Sequence, residues 1–475
     1  MAWADMAEHQ RSFQQVTLKT VFYPVILVSL LASVSGCSLV RDLGVGKGFS
    51  AKYLCSSVFN SGMAEEKVIE DFIKPKVRQL PWFWRVDVDR DTHQVSVGDI
   101  FTGQRGTATA IYTAGKGCTL LVGKTREDVE SLPFTPSSAS ASAEASDAEW
   151  PLGERVAPVT AGDFDTDALD KAVAGMFEEK WPSALNTTSV LVVHKGRIVA
   201  EAYDNGATAD TPLLGWSMTK SVTGMLIGIL IDQGRLDLDG PAPIPQWQGT
   251  DKAAITPRQL LNMASGIENN ENYKGLSDVS QMLYLESDQL SFAAGQALVH
   301  EPGTVFDYST PEANRLAAIL RSVLGGQQAV YDFYQNELFH KLGIYTGFIE
   351  FDASGGMVGG AYGYLTTRDW AKLGLLYLND GIWDGERVFT AHWMRFALAP
   401  SPAAGHYGAQ LWINTDGERW YDLPEDIFYF MGHQGQRVIM VPSKDLVIVR
   451  TGVTEDYELQ KQAISEFLHQ VIAAF

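Results

Sequence analysis

The sequence predicts an α/β fold: one sheet layer, an all-helical lobe inserted into it, and a small α+β module in front. Three observations predict it. Strand patterns stand at both ends of the long C-terminal part, with helical patterns between them. A long apolar helix opens at Ser217-Met218-Thr219-Lys220. Residues 38–130 carry short strands of their own, set off by a Ser/Ala-rich segment.

Arg11 and Lys19 precede an apolar stretch from Val21 to Val34, about 14 residues, which is short for a membrane span and suits a signal segment. It ends in Val34-Ser35-Gly36-Cys37. Small residues before a cysteine resemble the bacterial lipoprotein signal. That resemblance implies removal of residues 1–37 up to a lipidated Cys37, attachment to a membrane through the lipid, and, with Ser38 next, the periplasmic face of the outer membrane. An uncleaved apolar anchor is the alternative. Of the 3 cysteines, Cys55 and Cys118 then remain. An even remainder in an exported chain predicts one disulfide, with two buried thiols as the alternative. Neither cysteine has the spacing of a zinc site, and no metal or cofactor is expected.

In the 38–130 module, Met63 to Ile73 has a helical pattern, and Arg85–Asp89, Gln94–Val97, Thr107–Tyr112 and Cys118–Val122 read as strands. Nothing in the module looks catalytic. Residues 131–155 read as a flexible linker, rich in Pro, Ser and Ala. The main domain covers 160–475. Val190–His194 and Arg197–Ala200 flank Lys195-Gly196, a hairpin signal. The apolar run from Ser217 to Leu230 has no proline and stops at Gly234. Thr256-Pro257 starts a helix reaching Met263, another begins near Pro311, and a third spans Arg368 to Leu378. Gln436–Val441 and Leu446–Thr451 are strands about a Pro442–Asp445 turn, and a last helix follows Glu455. The net charge of −20 and a pI near 4.8 argue against nucleic acid and against an electrostatic membrane surface.

Ser217 and Lys220 stand three apart, so on a helix they share a face. A serine hydroxyl needs a base beside it to become a nucleophile, and a desolvated lysine can be that base. The helix N-terminus adds a positive field where an oxyanion forms. Ser217 as a plain N-cap is the competing reading. Tyr308, in Phe306-Asp307-Tyr308-Ser309-Thr310, precedes a helix; beside a lysine it can be a phenolate or a proton relay. Gly432-His433-Gln434-Gly435-Gln436 enters an apolar strand, where glycine lets backbone approach a substrate. Met263–Ile267 and Glu271-Asn272-Tyr273 form a polar-aromatic loop. Around Ser217 the second glycine of G-x-S-x-G is missing, and no His-Glu-x-x-His occurs. Gly44–Gly48 follows no strand and is no phosphate loop.

Over about 185–475 these motifs resemble the serine β-lactamase-like superfamily: class C β-lactamases, D-Ala-D-Ala carboxypeptidases and related esterases and amide hydrolases. S-x-x-K falls at Ser217–Lys220, Y-x-N/S at Tyr308-Ser309-Thr310, and K-T-G at His433-Gln434-Gly435. The chain looks most like the 6-aminohexanoate-dimer hydrolase and esterase branch, where histidine-glycine replaces K-T-G and a tyrosine such as Tyr273 follows the Ser-Gly loop. The resemblance implies an antiparallel sheet flanked by helices and a cleft joining Ser217, Lys220 and Tyr308. It places the oxyanion against the backbone N–H groups of Ser217 and Gln436, with His433, Gly435 and Tyr273 lining the substrate. The substrate it implies is a small ester or amide. A D-Ala-D-Ala carboxypeptidase or β-lactamase is the alternative, and a silent envelope binding protein is the reading from another class. Two departures matter. Thr310 in place of Asn removes an amide that orients the lysine or the substrate. His433 removes a permanent ammonium, so neutral substrates are expected over anionic antibiotics.

Overall fold

The computed structural model describes residues 41–77, 83–100, 106–137, 148–158, 162–178, 181, 183–415, 420 and 422–475. The apolar run 21–34 and Cys37 lie outside them. Among the described residues no helix is long and apolar enough to cross a membrane.

Residues 41–55 form a helix that continues as the π-helical turn Ser56–Asn60. A second helical stretch runs from Glu65 to Ile73. Four antiparallel strands follow as a meander: β1 (Trp84–Asp89), β2 (Gln94–Asp99), β3 (Ala108–Thr113) and β4 (Gly117–Leu120). Cys118 of β4 is disulfide-bonded to Cys55 at the end of the first helix, with Cα atoms 6.1 Å apart. Val45, Phe49 and Tyr53 recur every four residues along that helix and so share one face. That face does not close on the module alone. Phe49 meets Tyr284 edge-on at 5.8 Å and Tyr53 stacks on Trp216 at 6.1 Å. Module and main domain therefore share one hydrophobic cluster.

The polar link between them is Glu350. This buried carboxylate accepts hydrogen bonds from Ser56 (2.8 Å), Asn60 (2.9 Å) and the backbone N–H of Cys118 (2.7 Å), and pairs with Lys52. The first residues of the expected linker are also held. Phe134 packs edge-on against Tyr331 at 4.8 Å, and the Ser137 N–H donates to the Tyr331 hydroxyl at 3.0 Å.

The main domain opens with the hairpin β5 (Thr187–His194) and β6 (Arg197–Tyr203). Lys195 and Gly196 both take positive φ, 49° and 72°, as such a turn requires. Three short strands, β7 (Leu213–Leu214), β8 (Phe348–Ile349) and β9 (Gly363–Leu365), pair in the order β7-β9-β8. β10 (Ile382–Trp383) and β11 (Glu386–Arg387) form a small hairpin. The chain returns with β12 (Trp412–Ile413), β13 (Phe428–Gly432), β14 (Gln436–Val441) and β15 (Leu446–Gly452). The result is an antiparallel sheet ordered β12-β13-β14-β15-β5-β6. Alternation along β14 and β15 sends side chains to opposite faces. Val438, Met440, Val447 and Val449 face the core shared with the Thr367–Leu378 and Met218–Asp232 helices. Ile439, Val441 and Ile448 face the cluster under the terminal Tyr457–Ala474 helix.

Between the two halves of the sheet lie the helices of the lobe, Pro257–Leu261, Asp278–Leu285, Gln289–Gly295, Thr310–Leu324 and Gln327–Tyr334. The Met218–Asp232 helix is buried from Met218 to Leu230, which is why its sequence is apolar on every side. At Gly228 it lets Trp393 in: a Cβ there would stand 2.3 Å from the indole.

Candidate active site

The chain enters the Met218–Asp232 helix through a strained turn. Trp216 takes φ 47°, a region few non-glycine residues adopt. The Gly215 N–H, donating to Gly363 O at 2.9 Å, and the Trp216 indole N–H, donating to Gln434 Oε1 at 2.9 Å, pin that turn. Ser217 follows at the N-cap position, yet its side chain caps nothing. Its hydroxyl accepts instead from Lys220 Nζ at 2.8 Å. Ser217 therefore holds the N-cap position without capping by its side chain.

Lys220 Nζ has two other partners, Thr310 Oγ1 at 2.8 Å and Gly360 O at 2.9 Å. Burial pulls its pKa down to about 8, against an opposing pull from Glu271. A neutral amine keeps two N–H donors and one lone pair. With Thr310 and Gly360 placed to accept the two, the lone pair is left toward Ser217. Thr310 thus does the orienting that the missing Asn was expected to leave undone. Its own hydroxyl donates to Glu271 Oε1 at 2.6 Å and its N–H to Glu271 Oε2 at 2.8 Å.

Tyr308 lies across the lysine, whose Nζ is 5.0 Å from the ring centroid. Burial raises the phenol pKa; a hydrogen bond with Ser217 opposes this without reversing it. Tyr308 therefore rests as a phenol, not as a phenolate held by the lysine. Its ring packs against Trp412 at 5.0 Å and Tyr407 at 5.9 Å. Behind it a buried network fixes the Tyr308 and Glu271 loops together. Glu312 accepts from Ser265 N–H (3.1 Å) and Ser265 Oγ (2.9 Å) and pairs with Arg315 at 2.5 Å. Arg315 donates on to Asn269 at 2.8 Å, and Asn269 to Asp307 at 3.1 Å.

The wall opposite is aromatic. His433 stacks on Tyr273 at 5.1 Å and meets Trp216 edge-on at 5.7 Å. Tyr273 Oη donates to Glu271 at 2.8 Å and lies 3.2 Å from Thr310 Oγ1, so it borders the lysine's surroundings. Burial, then Lys76, holds the imidazole pKa well below its usual value. Gln434 takes φ 60° and Gly435 φ 92°. The space beside Gly435 is filled by protein: a Cβ there would stand 2.3 Å from Arg450 Nη1, whose guanidinium donates to the Gly435 carbonyl at 3.1 Å. Gln436 turns its side chain inward to the backbone of Gly452 and His433, leaving only its main chain at the head of β14. A small cavity lined by Tyr53, Phe72, Trp216, Gln434 and Gln436 does not include Ser217. It belongs to the seam with the module.

Ser217, Lys220 and Tyr308 thus meet, and Tyr273 and His433 form one wall beside them. Three contributors carry no local signal in the sequence, the Gly360 carbonyl, the Trp216 indole and Lys76 of the N-terminal module, and Glu271 stood out only as part of a polar-aromatic loop with no role assigned. The Lys76 Nζ stands 2.5 Å from His433 Nε2 across 357 residues of chain. Among the described residues no group of His, Cys, Asp and Glu is arranged to hold a metal ion.

Comparisons with known proteins place the fold. The family model described as Beta-lactamase matches residues 173–458. A 6-aminohexanoate-dimer hydrolase of Paenarthrobacter ureafaciens is 27% identical over 291 residues, which are 56% of this chain and 72% of that protein. Among solved structures, a family VIII carboxylesterase superposes with a TM-score of 0.52 at 17% identity, covering 67% of this chain and 100% of its own. A penicillin-binding protein homolog of Caulobacter crescentus does so at 0.51 and 16%, covering 67% and 99%. These two share the fold. The family match spans more than half of the sequence and takes in every element that carries Ser217, Lys220 and Tyr308, so the chain belongs to the beta-lactamase family of serine hydrolases.

Proposed function

We propose that this protein cleaves a small ester or linear amide through an acyl-enzyme on Ser217. The observation that carries the reading is the 2.8 Å contact between Ser217 Oγ and a buried lysine whose pKa is lowered to about 8. Neutral Lys220 takes the hydroxyl proton as Oγ bonds to the carbonyl carbon. The backbone N–H groups of Ser217 and Gln436 receive the oxyanion, at about 3–4 kcal/mol per donor. As the tetrahedral intermediate collapses, Tyr308 gives its proton to the departing oxygen or nitrogen and regains one from the Lys220 ammonium. Water then attacks the acyl carbon, its proton passes to Lys220, and Ser217 leaves protonated. The direction of each pKa supports this division: a lysine poised as base and a phenol poised as acid. The similarity to a 6-aminohexanoate-dimer hydrolase and to a carboxylesterase supports the substrate class.

A fluorophosphonate probe tests the nucleophile. Wild-type protein should be labelled once, and Ser217→Ala should lose both the label and about 10³-fold or more in kcat with its thermal unfolding unchanged. Labelling that survives Ser217→Ala overturns the assignment.

We further propose export and anchoring through a lipid on Cys37, a reading that the Cys55–Cys118 disulfide favours. Cys37→Ser should move the protein from membranes to the soluble fraction. A variant that stays membrane-bound with residues 1–36 attached identifies an uncleaved anchor.

A further inference from the structure

The expectation that neutral substrates are preferred rested on a missing ammonium at the third motif. The structure supplies one from elsewhere. Lys76 lies in the N-terminal module, outside the family-matched residues 173–458. Its Nζ meets His433 Nε2 at 2.5 Å, lies 5.8 Å from the centroid of the Tyr273 ring, and stands 3.6 Å from Glu455. His433 and Tyr273 stack on each other, with Tyr273 reaching Thr310 beside Lys220 and His433 meeting Trp216 next to Ser217.

We propose that Lys76 is a specificity-determining residue of this active site, selecting substrates that carry a carboxylate. The proposal rests on the hydrolase reading above and adds the chemical class of the substrate.

An ammonium has three donors. Neutral His433 takes one, and Glu455, slightly beyond hydrogen-bond distance, engages at most one more. A third N–H is left for a ligand. The side chain is mostly buried, with 17% of its surface exposed, so an anion that reaches it is poorly screened. The setting also lacks balance. Burial lowers the Lys76 pKa, Glu455 opposes this, and Lys274, in the loop that carries Tyr273, lowers it further, so an arriving carboxylate would favour the charged form. Glu455 and Glu271 face the same region. Glu271 is occupied by Thr310 and Tyr273, which leaves Glu455 as the carboxylate paired with Lys76. A substrate carboxylate beside Lys76 meets an ammonium next to the His433–Tyr273 ring pair and competes there with Glu455, whose Oε2 stands 3.6 Å from the lysine. The neutral imidazole matters here: it accepts from the lysine and so aims it, where a second cation would push it away.

The test compares two p-nitrophenyl esters of similar length, the butyrate and the anionic monoester of glutarate, on full-length protein. The readout is the ratio of their kcat/KM values. Lys76→Met should lower the glutarate/butyrate ratio about 10- to 100-fold, as expected for a lost charge-assisted hydrogen bond. Lys76→Arg should keep it within about fivefold of wild type, since the charge remains. A ratio within threefold of wild type in Lys76→Met overturns the proposal, even if both rates fall, because equal losses mark a structural contact with His433. Should Lys76→Met not fold, inhibition of wild-type butyrate hydrolysis decides. Glutarate must then bind at least tenfold more tightly than glutaramide, and equal inhibition overturns the proposal. Loss of all Ser217-dependent turnover in wild-type protein would instead defeat the hydrolase reading itself, so the two failures are distinguishable.

Discussion

At the scale of single residues, the site is a problem in removing charge. Lys220 is buried among a serine, a threonine and a carbonyl, and those neighbours can serve its neutral form. Burial disfavours the ammonium and the phenolate alike, lowering one pKa and raising the other. The sign of the pH dependence follows. Lys220 acts as base only after losing its proton, so kcat/KM for a neutral ester should rise with pH and level off through an inflection at about 8. Tyr308 stays protonated throughout that range. A stopped-flow or initial-rate profile between pH 6 and 9.5 checks this. A flat profile would mean that Lys220 does not titrate in the step measured.

At the scale of elements, the sequence spoke most clearly where one segment explains itself. Lys195-Gly196 announces a hairpin, Thr256-Pro257 a capped helix, and the unbroken apolar run after Ser217 a buried one. Ser217 and Lys220 were legible because a helix fixes their separation, and Tyr308 because it leads into a helix of its own. Lys76 was not, and neither was the role of Glu271. Glu271 acts through Thr310, 39 positions away, and Lys76 through His433, 357 away, and neither distance leaves a periodic trace. The module was read as a separate unit because it carries short strands of its own, set off by a Ser/Ala-rich segment. What the sequence could not display is that its helix lays Phe49 and Tyr53 on a neighbouring domain. The Met218–Asp232 helix offers a test of packing at this scale. Gly228→Ala gains about 1 kcal/mol of helix propensity. It also drives a methyl to 2.3 Å from the Trp393 indole, and overpacking costs about 1–3 kcal/mol. The variant should melt lower by circular dichroism. A higher melting temperature would show that Trp393 can move aside.

At the scale of the whole molecule, module and hydrolase domain share one core cluster and should unfold together. Glu350 is the sharpest probe of that union. Glu350→Ala strands the Lys52 ammonium in the interior and should cost about 3–5 kcal/mol, read from denaturant unfolding. Activity and tryptophan fluorescence should be lost in a single transition, in wild type and variant alike. Two separated transitions would show that the module is a passenger. The same carboxylate has a consequence for the order of events in synthesis. Lys52 and Glu350 are 298 residues apart, so at about 5–20 residues per second roughly 15–60 s pass between the making of the cation and the making of its anion. Cys55 and Cys118 are both made early in that interval, but the carboxylate that accepts from Ser56, Asn60 and the Cys118 N–H is missing until residue 350 is added. A lysine suits such a wait: its ammonium stays in water on a flexible stem and is drawn inside only when the partner that replaces that water arrives.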